Sequence, residues 1–289
     1  MKGLFIGLNT VDIQFYVHNF PGINQKVRAE NYTLNCGGPA TNAAVTFACL
    51  KGNPTLVTLC GKHKFTEFQY SELKLYKVKF IDLLPDQNLD PVFASVITSK
   101  ENGDRSVVSF HNEKTDNNIY KTSGVHPDNF DIILTDTYYI GAAIEILNKK
   151  KRNIPVVLDG GSWKNDLETL LPYVNIAICS SDFMPSGCKS HQEVYRFLKS
   201  FGINKIAITR GINSVLVWEN ENNYELEIEK VNIVDTLGAG DVFHGAFCYF
   251  FSSTGDFNFA LKKAALTATF SCQYFGSREW IKSIEKLKI

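Results

Sequence analysis

The chain has 289 residues, carries 30 basic and 30 acidic side chains, and is 44% hydrophobic. That length holds one large α/β domain or a domain with a small appendage, and that apolar share builds an ordinary globular core. Balanced charge excludes a bulk field for nucleic acid or an anionic membrane. The opening apolar run is too short for a signal peptide or a spanning helix. Seven cysteines, an odd number with no CxxC pair, read as buried thiols of a reducing, cytoplasmic compartment. The six histidines show no metal-ligand spacing.

Leu4–Leu8 is a short apolar run that predicts a buried first strand. Asp12 follows. Alternation in Ile13–Val17 and Lys26–Thr33, around the turn at Pro21–Gly22, predicts half-buried antiparallel strands of a small sheet. Gly37–Gly38–Pro39 leads into a helix at Ala40–Leu50. Two glycines and free helix N–H groups allow a ligand close to the backbone, and Asn42 both donates and accepts, which suits a polyhydroxy ligand. The bland alternative is an ordinary strand–helix connection capped by Asn42. Thr55–Cys60 predicts another strand and Thr66–Tyr76 a short helix. Pro91–Thr98 and Arg105–Phe110 flank Asn102–Gly103, a hairpin signal that adds two strands to the small sheet. Asp104 and Arg105 at its tip are expected in solvent.

From Asp131 onward, the apolar runs Ile132–Leu134, Pro155–Leu158, Ile176–Cys179 and Lys205–Thr209 alternate with helical stretches. That pattern predicts βαβ units and a mainly parallel sheet covered on both faces. Ligands of such sheets bind beyond the carboxyl ends of the strands, where Asp136, Asp159 and Asp182 fall. Ser214–Glu219 predicts a further strand. Val234–Phe243 reads VDTLGAGDVF. Gly238 and Gly240 allow a tight turn whose N–H groups converge before an apolar helix, Phe243–Phe251. That geometry suits an anion, most simply a phosphate. Asp241 beside it is placed to take a proton from an attacking hydroxyl. Taken alone, a glycine-rich cap with an acidic first turn explains the same residues. A last helix is predicted at Asn258–Tyr274, with small residues Ala264, Ala265, Thr267 and Ala268.

DTLGAGDVF resembles the C-terminal signature of the ribokinase-like (PfkB) carbohydrate kinases, DTxGAGDxF, at every fixed position. GGPATNAA at Gly37–Ala44 resembles the N-terminal signature, and the likeness covers essentially the whole chain. The resemblance implies an α/β, ribokinase-like three-layer sandwich with a mainly parallel central sheet. It implies one kinase domain over 1–289, whose small β-sheet lid is built from about 12–33 and 91–111. A lid would keep water from the phosphoryl group.

The implied activity is ATP-dependent phosphorylation of a sugar hydroxyl. Asp241 is the general base and the amides of Gly238, Ala239 and Gly240 form the anion hole. Asp12, Gly38, Asn42 and Asp136 are the implied sugar contacts. Thr209, Gly211, Gly238, Gly240, Ala265 and Gly276 are the implied ATP contacts. Arg210 reads equally as a phosphate contact or a surface residue.

Two family features are altered. The usual glycine-and-aspartate turn reads Gly61–Lys62–His63–Lys64. The Asn-x-x-Glu motif that arranges water around Mg2+ reads Ser180–Ser181–Asp182–Phe183. The second change is like the ketohexokinase-like branch and leaves Asp182 as a water-mediated Mg2+ contact. Asp235 and the carbonyl of Leu237 match the family's K+ positions. The partner is a small-molecule sugar, with no nucleic acid and no membrane, and exposed lid strands could pair into a homodimer. Two other readings stand beside the sugar kinase. One is a nucleoside kinase, for which Phe15, Tyr16 and Phe93 would form a base slot. The other is a catalytically silent sugar- or nucleotide-binding sensor.

Overall fold

The structure is a computed structural model and describes residues 1–101, 103–111 and 120–289. Asn102 of the hairpin signal lies outside the described residues. The chain begins with β1 (Lys2–Ile6), β2 (Thr10–Val17), β3 (Asn31–Gly37) and α1 (Pro39–Cys49). β4 (Asn53–Thr58), α2 (Thr66–Leu75), β5 (Lys79–Asp82), β6 (Phe93–Ser99) and β7 (Arg105–Phe110) follow. Next come β8 (Ile132–Thr135), α3 (Ile140–Leu147), β9 (Val156–Gly160), β10 (Ile176–Ser180) and α4 (His191–Ser200). The chain ends with β11 (Lys205–Arg210), β12 (Asn213–Glu219), β13 (Asn222–Leu226), α5 (Ala239–Thr254) and α6 (Phe257–Ser271).

Among the described residues, nine strands form the large sheet in the order β13-β12-β11-β10-β9-β8-β1-β4-β5. Pairing is parallel from β11 to β5, while β12 and β13 add antiparallel. Strand residues alternate between two cores because successive side chains leave opposite faces. Phe5, Leu134 and Ile178 pack under α1, α5 and α6, while Leu4, Ile6 and Leu158 pack under α3 and α4. This is the expected three-layer sandwich. The seven cysteines are unpaired.

The small sheet runs β3-β2-β6-β7. Two details differ from the sequence reading. β2 pairs antiparallel with β3 but parallel with β6, because the chain crosses the large sheet through β4 and β5 before returning. Strand pairing also begins at Asn31, and of Lys26–Glu30 it is Glu30 that reaches β2, donating its amide to the Tyr16 carbonyl at 2.7 Å.

The central helix begins earlier than its apolar run suggested. Gly238 is its N-cap at φ +73°, a left-handed conformation that glycine adopts without steric cost, so Gly240 and Asp241 lie in the first turn. α6 stops at Ser271, three residues short of expectation, and turns through Cys272–Tyr274. α5 crosses α1 at Gly245, where an added Cβ would lie 2.3 Å from the Ala43 carbonyl oxygen and 2.7 Å from Thr46 Cβ.

Candidate active site

The two sequence motifs meet. Asn42, in the first turn of α1, donates from Nδ2 to Asp241 Oδ2 at 2.6 Å. The close α1–α5 crossing makes this contact possible. Gly238 lies beside the pair, since a Cβ there would be 3.6 Å from Asn42 Nδ2 and 3.7 Å from Asp241 Oδ2. Gly240 is exposed, and a Cβ there would meet nothing within 4 Å. The glycine turn therefore has an open side, flanked by a carboxylate and by the N-terminal amides of a sixteen-residue helix.

Burial pushes Asp241 up to about 6, and Asp159 adds to the rise. The Asn42 hydrogen bond, His244 and Arg105 oppose it. A carboxylate of that strength is mostly ionised at neutral pH and still basic enough to accept a proton.

Asp12 sits on β2 with its carboxylate against Gly37, where an added Cβ would fall 1.8 Å from Asp12 Oδ2. Its Oδ1 accepts from the Thr10 hydroxyl, and burial pushes it up to about 6 against the pull of Thr10 and Arg278. Gly38 has φ +96° and packs on the Leu8 carbonyl, 2.3 Å from where its Cβ would lie. Leu8 also lines a cleft of about 750 Å³ at the carboxyl ends of the strands, with Leu59, His111, Tyr138, Tyr139 and Lys164. His111 stacks on Tyr138 with ring centroids 5.6 Å apart, and Lys164 Nζ lies 2.9 Å from the centre of the Tyr138 ring.

Asp136 does not join this group. It is 1% exposed, and its carboxylate accepts from the backbone amides of Leu8 (2.8 Å), Tyr138 (2.8 Å) and Ala40 (3.3 Å). It brackets the start of α1 to the end of β1, so it shapes the turn that leads into α1 from beneath. Burial pushes it up to about 7.

The other residues expected to contact ATP are spread over β11, the β11–β12 turn, α6 and the loop after it. Thr209 donates from its hydroxyl to the Cys179 carbonyl at 3.3 Å, and Gly211 takes φ +61° in the exposed β11–β12 turn. Arg210 bonds to Ser214 and Glu225, on β12 and β13. Ala265 is buried in the α6 core contact, and Gly276 takes φ +84°. Asp182 is exposed just after β10, while Phe183 is fully buried against Trp163. Among the described residues, no group of three His, Cys, Asp or Glu side chains is placed to hold a metal.

Asp235 is 3% exposed and accepts from Leu237 N (2.9 Å), Gly276 N (2.9 Å) and Gln14 Nε2 (2.5 Å). Those three bonds leave about one lone-pair direction for a cation. Phe93 packs on Phe65 and Tyr16 on Phe275, so these rings already have partners within the protein.

Sequence reasoning missed three residues. Gln14 ties the small sheet to Asp235. Arg105 is exposed, as expected, and also donates from β7 to the Thr236 hydroxyl at 2.7 Å, beside the glycine turn. His244 lies one helical turn behind Asp241 and contacts Asp159. Arg105 and Gln14 carried no local signal, because their partners lie more than a hundred residues away in sequence. His244 could have been found from its i+4 spacing to Gly240.

Among known proteins, the deoxyribokinase of Salmonella typhi is 26% identical over 303 residues, covering 97% of this chain and 95% of that protein. The fructosamine kinase of Bacillus subtilis is 27% identical over 284 residues, covering 96% and 93%. A structure of Arabidopsis thaliana ribokinase complexed with ribose and ATP superimposes with a TM-score of 0.73 at 20% identity, covering 100% of this chain and 98% of that one. The family model described as pfkB family carbohydrate kinase matches residues 2–283. With both motifs joined at Asn42–Asp241 and the match running nearly end to end, the chain belongs to the pfkB family of carbohydrate kinases, phosphotransferases whose acceptor is an alcohol group.

Proposed function

We propose that the protein transfers the terminal phosphoryl group of ATP to a hydroxyl of a small sugar, with residues 1–289 acting as one kinase unit. The observation that carries this reading is the 2.6 Å bond between Asn42 and Asp241, which joins the sugar-side helix to the phosphate-side helix. The sugar lies between Asp12, Gly38 and Asn42 and extends into the cleft below the lid. Asp12 accepts hydrogen bonds from its hydroxyls. Asp241 takes the proton of the acceptor hydroxyl, and amides of the Gly238–Asp241 turn stabilise charge on the phosphoryl. Arg105 adds a cation from the lid. The nucleotide runs along Thr209, Gly211, Ala265 and Gly276.

ATP supplies the phosphoryl group. Mg2+, held chiefly by phosphate oxygens and water, would neutralise its charge, with Asp182 placed to reach it through water. Asp235 and Leu237 would hold K+ through the remaining carboxylate direction and a main-chain carbonyl. The exposed β7, with Val108 76% exposed and Phe110 54%, offers an edge through which two copies could pair.

A panel of sugars and nucleosides assayed for ADP release tests the reading. Sugar-dependent release is expected. Turnover with nucleosides alone would move the assignment to a nucleoside kinase, and ATP binding with no substrate-dependent release would make it a sensor. Asp241→Asn should cut kcat by about 10²- to 10⁴-fold while nucleotide binding stays nearly intact. A full rate in that variant excludes Asp241 as the base.

A further inference from the structure

His244 stands on α5 one turn after Gly240, 5% exposed. Its Nδ1 is 2.7 Å from the Gly240 carbonyl oxygen, and its Nε2 is 3.1 Å from the Ile178 carbonyl oxygen. Both partners are oxygens that only accept. A neutral imidazole has one N–H and would leave its second nitrogen facing an oxygen lone pair to lone pair. A ring donating at both nitrogens carries a positive charge. Asp159 supplies the counter-charge, with Oδ2 3.3 Å from Nδ1 and no hydrogen-bond partner of its own among the described residues. Ile178 and Asp159 are register partners on β10 and β9, so the ring docks onto a single rung of the central sheet.

The Gly240 carbonyl belongs to the same planar peptide as the Asp241 N–H, and the two point in opposite directions. Fixing the carbonyl downward onto His244 aims that N–H upward, at the open side of the glycine turn. We propose that His244, donating at both ring nitrogens and neutralised by Asp159, is a positioning residue that holds the phosphoryl turn and its base against the sheet. Its effect on turnover rests on the kinase reading above.

Charge reaches the base by the same route, since His244 lowers the Asp241 carboxyl and Asp159 raises it. Asn42 and Arg105 also act on Asp241. The other groups that feel Asp159 are Asp136 and the thiols of Cys179 and Cys248, both pushed up chiefly by burial.

The test uses the full chain labelled with ¹⁵N-histidine, with the His244→Asn spectrum assigning the resonance. Both His244 nitrogens should carry protons in the folded protein, and Asp159→Asn should abolish that state. A ring with one N–H overturns the proposal, and this readout needs no active variant. His244→Gln should lower kcat about tenfold to a hundredfold with the KM for ATP little changed. Its acid limb of kcat should move to higher pH, because the lowering cation is gone while Asp159 remains. A lower kcat with an unmoved limb and a neutral ring would make His244 a packing residue only. No turnover by the natural protein on any sugar or nucleoside would defeat the kinase reading, and the NMR result would stand apart from it.

Discussion

In the proposed reaction Asp241 is the base, and its setting fixes how the rate should respond to pH. Held up to about 6 by burial and by Asp159, it loses its proton-accepting form as pH falls through that value. The kcat profile should therefore show an acid limb near 6, with slope one. A limb near the ordinary carboxylate value of about 4 would mean the rate is set by another group. Asp12 also titrates at about 6, so if it holds the sugar as proposed, kcat/KM should fall more steeply than kcat over the same range. Such residues were legible in the sequence where a motif carried them, as with Asp241, Gly238, Asn42 and Asp12. Asp136 was legible as an acid at a strand end. That its oxygens serve three amides was not, because those amides come from three separate segments.

At the level of elements, the glycine turn separates two properties that usually change together. Gly238 is left-handed, so Gly238→Ala should cost about 1–2 kcal/mol of stability from backbone strain alone. Gly240 is helical, exposed and open on the Cβ side. Gly240→Ala should therefore leave the melting temperature unchanged or raise it, by about 0.5–1 kcal/mol of helix preference, yet lower kcat by filling the space assigned to the phosphoryl group. Melting curves and kinetics on the two variants check this. An active Gly240→Ala protein would show that the open side is not where the phosphoryl sits.

The elements themselves were largely readable, since buried parallel strands announce themselves as apolar runs and the hairpin β6–β7 by its turn. What periodicity could not show was which strand lies beside which. The parallel β2–β6 pair joins segments separated by β3, α1, β4, α2 and β5, and no local pattern records that return.

Among the described residues, burial holds Glu72 and Asp159 above the usual carboxylate value, and it also holds Asp12 and Asp241 at about 6 and Asp136 at about 7. Each of the last three binds its proton more tightly folded than unfolded, so the stability it contributes is full below the unfolded value and is lost as pH rises through 6 to 7. His63 and His111, lowered by burial, act in the opposite sense. Comparison with Asp136→Asn isolates one contribution. The variant should start less stable but lose less stability between about pH 5.5 and 8 than the natural chain does. An identical slope in both would mean Asp136 does not titrate in that window.

The helix crossing at Gly245 has a further consequence for how damage to this protein would look. One methyl group there has nowhere to go, with main-chain oxygen on one side and Thr46 on the other. It would act as a shim, prising apart the two rods whose tips carry the acid and its amide neighbour. The lesion would sit one helical turn behind the acid rather than at the open turn, and yet a kinetic assay would report it as a fault in the chemistry.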